Sequence, residues 1–255
     1  MERIIKNPFV RMQKVALATL CITCIFRLFA NDLNAQTTEK VTWDYPVRYG
    51  TPKWDDLRTF EEKFNAYNIP DEILKEISTK ELVKTCLSYP QWGLIHAYND
   101  RRTRFSVIVS LFNGFRELFS RNDAVIELLK VYDKLDPLSV DPNWTDLQKG
   151  EYCFQFTKIE LFLSPNPMID QLDKDVIQYL KEAVISKYQK KKVLPEIYSL
   201  WDLSPIVAIC LNIIEKDNTD IVKNIFDANY LKTSLMSEDI QFLDNIVELL
   251  KKNNL

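Results

Sequence analysis

Glycine is scarce in this chain: only Gly50, Gly93, Gly114 and Gly150 occur among 255 residues. Hairpins and phosphate-cradling loops draw on glycine, because it alone enters positive φ at little cost. Four glycines therefore weigh against an all-β fold and against a doubly wound nucleotide binder. Neither G-x-x-x-x-G-K-[ST] nor G-x-G-x-x-G is present, so the chain encodes no phosphate cradle. Histidine is scarcer still. His96 is the only one, which excludes mechanisms and zinc sites built on two histidines. No G-x-S-x-G elbow offers a serine nucleophile.

Cysteine is sparse and widely spaced. Cys21 and Cys24 lie near the start, and Cys86, Cys153 and Cys210 are scattered over the rest. Three remaining cysteines allow at most one disulfide, and the spacing favours none of the pairings. No metal motif is visible and no cofactor is expected.

What is there begins with an export pattern. Arg3, Lys6, Arg11 and Lys14 precede the apolar run VALATLCITCIF (15–26), followed by Arg27 and FANDLNAQ (29–36). A basic segment, a short apolar segment and a small residue before a polar stretch predict a signal peptide over 1–35, cleaved after Ala35. Ala30 is the second choice, and Met12 opens a compact version of the same signal. The apolar run is shorter than the roughly 20 residues a bilayer span needs, so an uncleaved anchor is the lesser reading. Small residues do not precede Cys21 or Cys24, so a lipid anchor is not expected. Removing 1–35 takes away five basic and two acidic residues, moving the net charge from −3 to about −6. That acidity argues against a nucleic-acid partner.

The expected fold is all-α: an irregular helical bundle or short helical-repeat-like array, with an extended N-terminal arm over 36–53. Val, Thr and aromatic residues with Pro46 and Pro52 shape the arm, and Trp43, Tyr45, Tyr49 and Trp54 cluster there. From residue 54 to 255 the apolar period is helical. Ser78 with Glu81 makes a capping box for a helix to about Ser88. Phe105, Ile108, Phe112, Phe115 and Phe119 step 3, 4, 3, 4 along one expected helix near 101–120. Asn122 is the expected cap for 123–135. DPLSVDPNWT (136–145) reads as a linker that can divide 54–135 from 146–255. Further helices are expected over 146–163, 169–191, 205–216, 219–229 and 237–252, with Pro205 at a first helical position. Leu-Ser followed closely by proline recurs at Ser88, Ser164 and Ser204, without a constant period; shared cap chemistry explains it better than a repeat array.

The stretch holding Cys86 and His96 invites a catalytic reading. Cys86 falls in the last turn of its helix, where the dipole is negative and a thiolate is disfavoured. Leu82, Val83 and Leu87 surround it, so it reads as a small core residue. Adjacent acids such as Asp55–Asp56 and Glu61–Glu62 suit helix starts and exposed faces rather than a hydrolytic pair. Arg101, Arg102 and Arg104 open a helix, where cations are unfavourable, and invite an acidic partner. Lys190, Lys191 and Lys192 close one, where cations suit the dipole and need no function.

IPDEILKEISTKELVKTCLSYP (69–90) and FNGFRELFSRNDAVIELLKVY (112–132) resemble an uncharacterised family of exported all-helical proteins from Bacteroides-like bacteria. The resemblance covers 51–135 well and the remainder loosely. It implies a Gram-negative envelope and carries no catalytic motif. The leading expectation is thus a non-catalytic, exported protein-interaction module, periplasmic or extracellular. It would bind another envelope protein near Arg101, Arg102 and the Tyr89–Trp92 turn. The alternative is a glycan- or peptide-binding protein using Trp43 and Tyr45 of the arm, and a carboxylate-based hydrolase stands third.

Overall fold

Thr51, Thr59, Ser78, Thr145 and Asp173 each stand just ahead of a helix, in extended backbone, and accept a backbone N–H from its first turn. Each cap satisfies one of the donors that a helix start leaves unpaired. At Thr59 and Thr145 the third helical residue, Glu62 or Gln148, reaches back to complete a capping box. The computed structural model describes residues 41–97, 101–217 and 240–252; the side chains of residues 97 and 101–104 lie outside this description.

The helices are α1 (Pro52–Asp55), α2 (Phe60–Asn65), α3 (Asp71–Glu76), α4 (Thr79–Leu87), α5 (Arg101–Leu111), α6 (Asn113–Ser120) and α7 (Ala124–Tyr132). They continue as α8 (Asp146–Leu163), α9 (Asn166–Asp170), α10 (Lys174–Lys192), α11 (Leu200–Asp217) and α12 (Ile240–Lys252), with 3₁₀ turns at Trp92–Ala97 and Pro137–Ser139. No strand occurs among the described residues. The fold is all-α. Helix α11 is apolar nearly all round and packs against α8, α9, α10 and α12, as expected of a buried central helix.

The phenylalanine stripe does face inward: Phe105, Ile108, Phe112 and Phe115 are buried, and Phe119 packs against them. It does not lie on one helix, however. Phe112 is extended, and the chain breaks there into α5 and α6. The cause is distant in sequence. The Asn113 side chain accepts the Ile69 N–H at 2.9 Å and donates to the Ile69 carbonyl at 2.8 Å, while Asn68 Oδ1 accepts the Asn113 N–H.

Other boundaries move for local reasons. Asp123, not Asn122, precedes α7, and its carboxylate accepts from Thr79 Oγ1. Helix α10 begins at Lys174 because Asp173 caps it, and the short α9 takes up the residues before. Helix α11 begins at Leu200, where Asp202 bonds back to Ser199, so Pro205 lies inside it. Ser88 and Ser164 do end their helices, whereas Ser204 is intrahelical and bonds the Leu200 carbonyl. Pro52 opens α1 within the segment expected to be extended, since proline fits a first helical position. Residues 41–51 contain neither helix nor strand. The expected signal segment, residues 36–40 of the arm and the helix over 219–229 lie outside the described residues.

Val41–Leu255 forms one compact unit. The 136–145 segment is fastened to the C-terminal helices: Tyr198 OH donates to the Pro137 carbonyl, Tyr152 OH to that of Asp136, and Lys190 pairs with the Asp136 carboxylate. Near the N-terminal side, Tyr45 has a positive φ of 43°, directly before Pro46. A bulky residue rarely adopts that conformation. Its ring sits among Tyr67, Tyr89 and Phe112, and its hydroxyl donates to the Thr85 carbonyl at 2.7 Å. No described helix is long and apolar enough to cross a membrane.

Candidate functional site

The first turns of α8 present Asp146, Leu147, Lys149, Gly150, Glu151, Cys153 and Phe154 to one side. They form a wall of an open cleft of about 580 Å³. The Thr145 capping box sets where that wall begins. His96 enters from the Trp92–Ala97 turn, Glu196 and Ile197 from the connection after α10, and Asp202 from the first turn of α11. Leu147, Phe154, Ile197 and the buried Cys153 supply apolar surface. Among the described residues, Asp146, Glu151, Glu196 and Asp202 supply four carboxylates against one ammonium, Lys149. The His96 ring packs on Phe154 with centroids 5.0 Å apart. Among the described residues, no three His, Cys, Asp or Glu side chains converge as a metal set.

Beneath Asp202 lies a buried ion pair. Lys191 Nζ is 2.8 and 3.0 Å from the two Glu160 oxygens, and both side chains are 0% exposed. Tyr132 OH donates to Glu160 Oε1 at 2.8 Å, and Lys191 also donates to the Asp202 carbonyl at 2.9 Å. The ammonium sits over the Phe156 and Tyr198 rings. Burial pushes the Glu160 carboxyl up despite Lys191, and burial beside Glu160 pushes the Tyr132 phenol up. The Asp202 carboxylate accepts the N–H and hydroxyl of Ser199. The back of the cleft is thus tied to a saturated polar core.

The residues singled out from sequence are placed differently. Tyr89 and Trp92 are buried, so their turn is core rather than a docking face. Tyr89 stacks on Phe112 at 4.7 Å. Trp92 stacks on Phe105 and donates its indole N–H to the Cys86 carbonyl at 2.8 Å. That carbonyl belongs to the last turn of α4, where carbonyls need outside donors. Arg101 and Arg102 stand in the first turn of α5, with side chains outside the described residues. Trp43 is half-buried and donates to the Tyr67 carbonyl. Tyr45 and Trp54 are 3% and 8% exposed, so neither ring offers a face to a sugar. Tyr49 remains exposed at the edge of Trp54.

Cys86 and His96 do not form a pair. The Cys86 thiol is fully enclosed, donates to the Gly114 carbonyl at 3.4 Å, and is pushed well up by burial. His96 is exposed on the cleft. The pairing of Glu160 with Lys191 is not among the features expected from sequence, although a signal exists. Ile177, Leu180, Val184, Tyr188 and Lys191 step 3, 4, 4, 3 along α10, and Cys153, Phe156, Glu160 and Leu163 step 3, 4, 3 along α8. Opposite charges on two core stripes mark partners. Comparison with protein-family models, curated proteins and solved structures finds no match.

Proposed function

We propose that this chain is a non-catalytic protein-interaction module that holds a basic, partly apolar segment of its partner in the cleft between α8 and the start of α11. The observation that carries this reading is the cleft's composition: an apolar wall from Leu147, Phe154 and Ile197 with four carboxylates around it. Alternating apolar and cationic side chains complement such a surface. Apolar contact supplies affinity, and opposite charge supplies encounter rate and selectivity. The enclosed thiols of Cys86 and Cys210, both pushed up by burial, support a structural rather than a nucleophilic use of cysteine. The basic and then apolar run of residues 1–35 supports export to the envelope or beyond.

The test is titration calorimetry with a synthetic peptide of alternating arginine and leucine, and with its glutamate–leucine counterpart. The basic peptide binds and the acidic one does not. Glu151→Lys with Glu196→Lys, both exposed positions, weakens binding about tenfold or more, because two local charges reverse. Equal affinity for both peptides, or an unchanged affinity in the double variant, removes the reading.

A further inference from the structure

We propose that Gly150 is the floor of a notch in the cleft wall, and that the notch receives a leucine-sized apolar side chain of the partner's basic segment. The inference rests on the docking reading above and names the contact that selects the segment's apolar residues.

Gly150 lies inside α8, one turn from its start, and is exposed. Glycine is unfavourable there, because it gives up more backbone freedom than alanine on entering a helix. Packing does not require it. A Cβ at Gly150 would meet no atom of the described residues within 4 Å, and the backbone is not left-handed. Gly114 and Gly50 differ: a Cβ on Gly114 would strike the Phe112 ring, and Gly50 has a φ of +78°. Gly93 is as open as Gly150, but it stands in a 3₁₀ turn and not in an α-helix. A local rule broken without a structural return marks a functional surface. Close approach of a ligand to the main chain is one such use of glycine.

The surroundings of Gly150 define what approaches. On a helix the neighbours of a residue are those three and four positions away. For Gly150 these are Asp146, Leu147, Cys153 and Phe154, and all four line the cleft with it. Three of them are apolar, with Cys153 acting as a small hydrophobe. Leu147 is 73% exposed, so an apolar partner that covers it removes a large area from water. The fourth neighbour, Asp146, is an exposed carboxylate, and Glu151 follows Gly150 directly. An apolar side chain fits the gap between Leu147 and Phe154, while a cationic residue beside it in the segment meets Asp146 or Glu151. A side chain at position 150 would fill the same gap.

The experiment uses the full chain and two peptides of equal length, the arginine–leucine peptide and an arginine–alanine peptide. Both are titrated calorimetrically into the wild type, Gly150→Ala and Gly150→Leu, and each protein is also melted. Both variants are expected to melt at or above the wild-type temperature. The wild type is expected to prefer the leucine peptide about tenfold or more. Gly150→Leu should bind that peptide about tenfold more weakly, and its preference for leucine over alanine should shrink to about twofold. Where Gly150→Leu melts below the wild type, Gly150→Ala carries the comparison, with about a threefold loss expected. Unchanged or tighter binding of the leucine peptide by the variants overturns this inference and leaves the docking reading standing. Weaker binding with the leucine preference intact overturns it too, because the added side chain then obstructs the cleft without filling a notch. A lower melting temperature for Gly150→Ala gives the glycine a packing reason and has the same effect, as does a wild type indifferent to leucine against alanine. Absence of binding of either peptide to the wild type overturns the docking reading, and this inference with it.

Discussion

The ammonium of Lys191 lies 2.8 Å from one Glu160 carboxylate oxygen and 3.0 Å from the other, with no solvent on either side chain. Removing one partner strands a charge in the core. Lys191→Met is expected to cost about 3–5 kcal/mol, the usual range for a broken buried pair. Glu160→Leu combined with Lys191→Met leaves no stranded charge and is expected to be more stable than the Lys191→Met single variant. Urea unfolding of the two singles and the double closes the cycle. Additive losses would mean the two groups are not coupled.

The three described cysteines should react in a fixed order. Cys210 is fully enclosed and its thiol is pushed up to about 12, and Cys86 is also fully enclosed and pushed well above its ordinary value. Cys153 is raised too, chiefly by burial and then by Asp202, but it borders the cleft. Timed alkylation at pH 8 with peptide mass mapping is expected to label Cys153 first. Labelling of Cys86 and Cys210 should wait for denaturant. Early labelling of Cys86 would revive the catalytic reading of that residue.

Two glycines predict opposite outcomes. A Cβ on Gly114 would meet the Phe112 ring at 2.5 Å and Ile69 Cδ1 at 3.0 Å, whereas one on Gly150 would meet nothing within 4 Å. Gly114→Ala is expected to destabilise by about 1–3 kcal/mol through overpacking. Gly150→Ala, inside α8, is expected to stabilise by about 0.5–1 kcal/mol through helix propensity. Thermal unfolding of both decides whether the break at Phe112 is as tightly packed as described.

Acid sensitivity follows from two carboxylates. The backbone N–H groups of Thr59 and Arg58 hold Glu62 below its ordinary value of 4.5, and the Leu138 N–H, then Lys190, hold Asp136 below 3.8. A depressed carboxylate contributes stability above its ordinary value and loses it as pH falls through the depressed one. Glu62→Ala with Asp136→Ala should be less stable than wild type at pH 7, and the gap should narrow as pH falls below the ordinary carboxylate values. Urea midpoints across that range provide the check, and a gap that widens on acidification would contradict the assignment.

Periodicity made the all-α class and the spacing of the phenylalanine stripe legible. Those features depend on neighbours three and four residues apart. The break at Phe112 was not legible, because Asn113 is drawn to Ile69, 44 residues earlier. The cleft was not legible for the same reason: His96, Asp146, Glu196 and Asp202 meet only once the helices pack. The Tyr89–Trp92 turn misled because exposed and core aromatics look alike in sequence. The difference lies in a carbonyl at the end of α4 that Trp92 satisfies. Lys191 was hidden inside a run of three lysines, of which the outer two are partly exposed and pair with Asp136 and Asp244.

Tyr45 also determines how the molecule answers to traction. Its ring is wedged among three others, its hydroxyl is tied to Thr85, and Trp43 is tied to Tyr67 on one side and receives Thr85 Oγ1 on the other. A pull arriving along the backbone at Val41 is therefore shed sideways into α4 and the Tyr67 loop by residue 45, before it reaches α1. The segment works as a cleat. These contacts must be broken before a pull along the backbone at Val41 can reach α1.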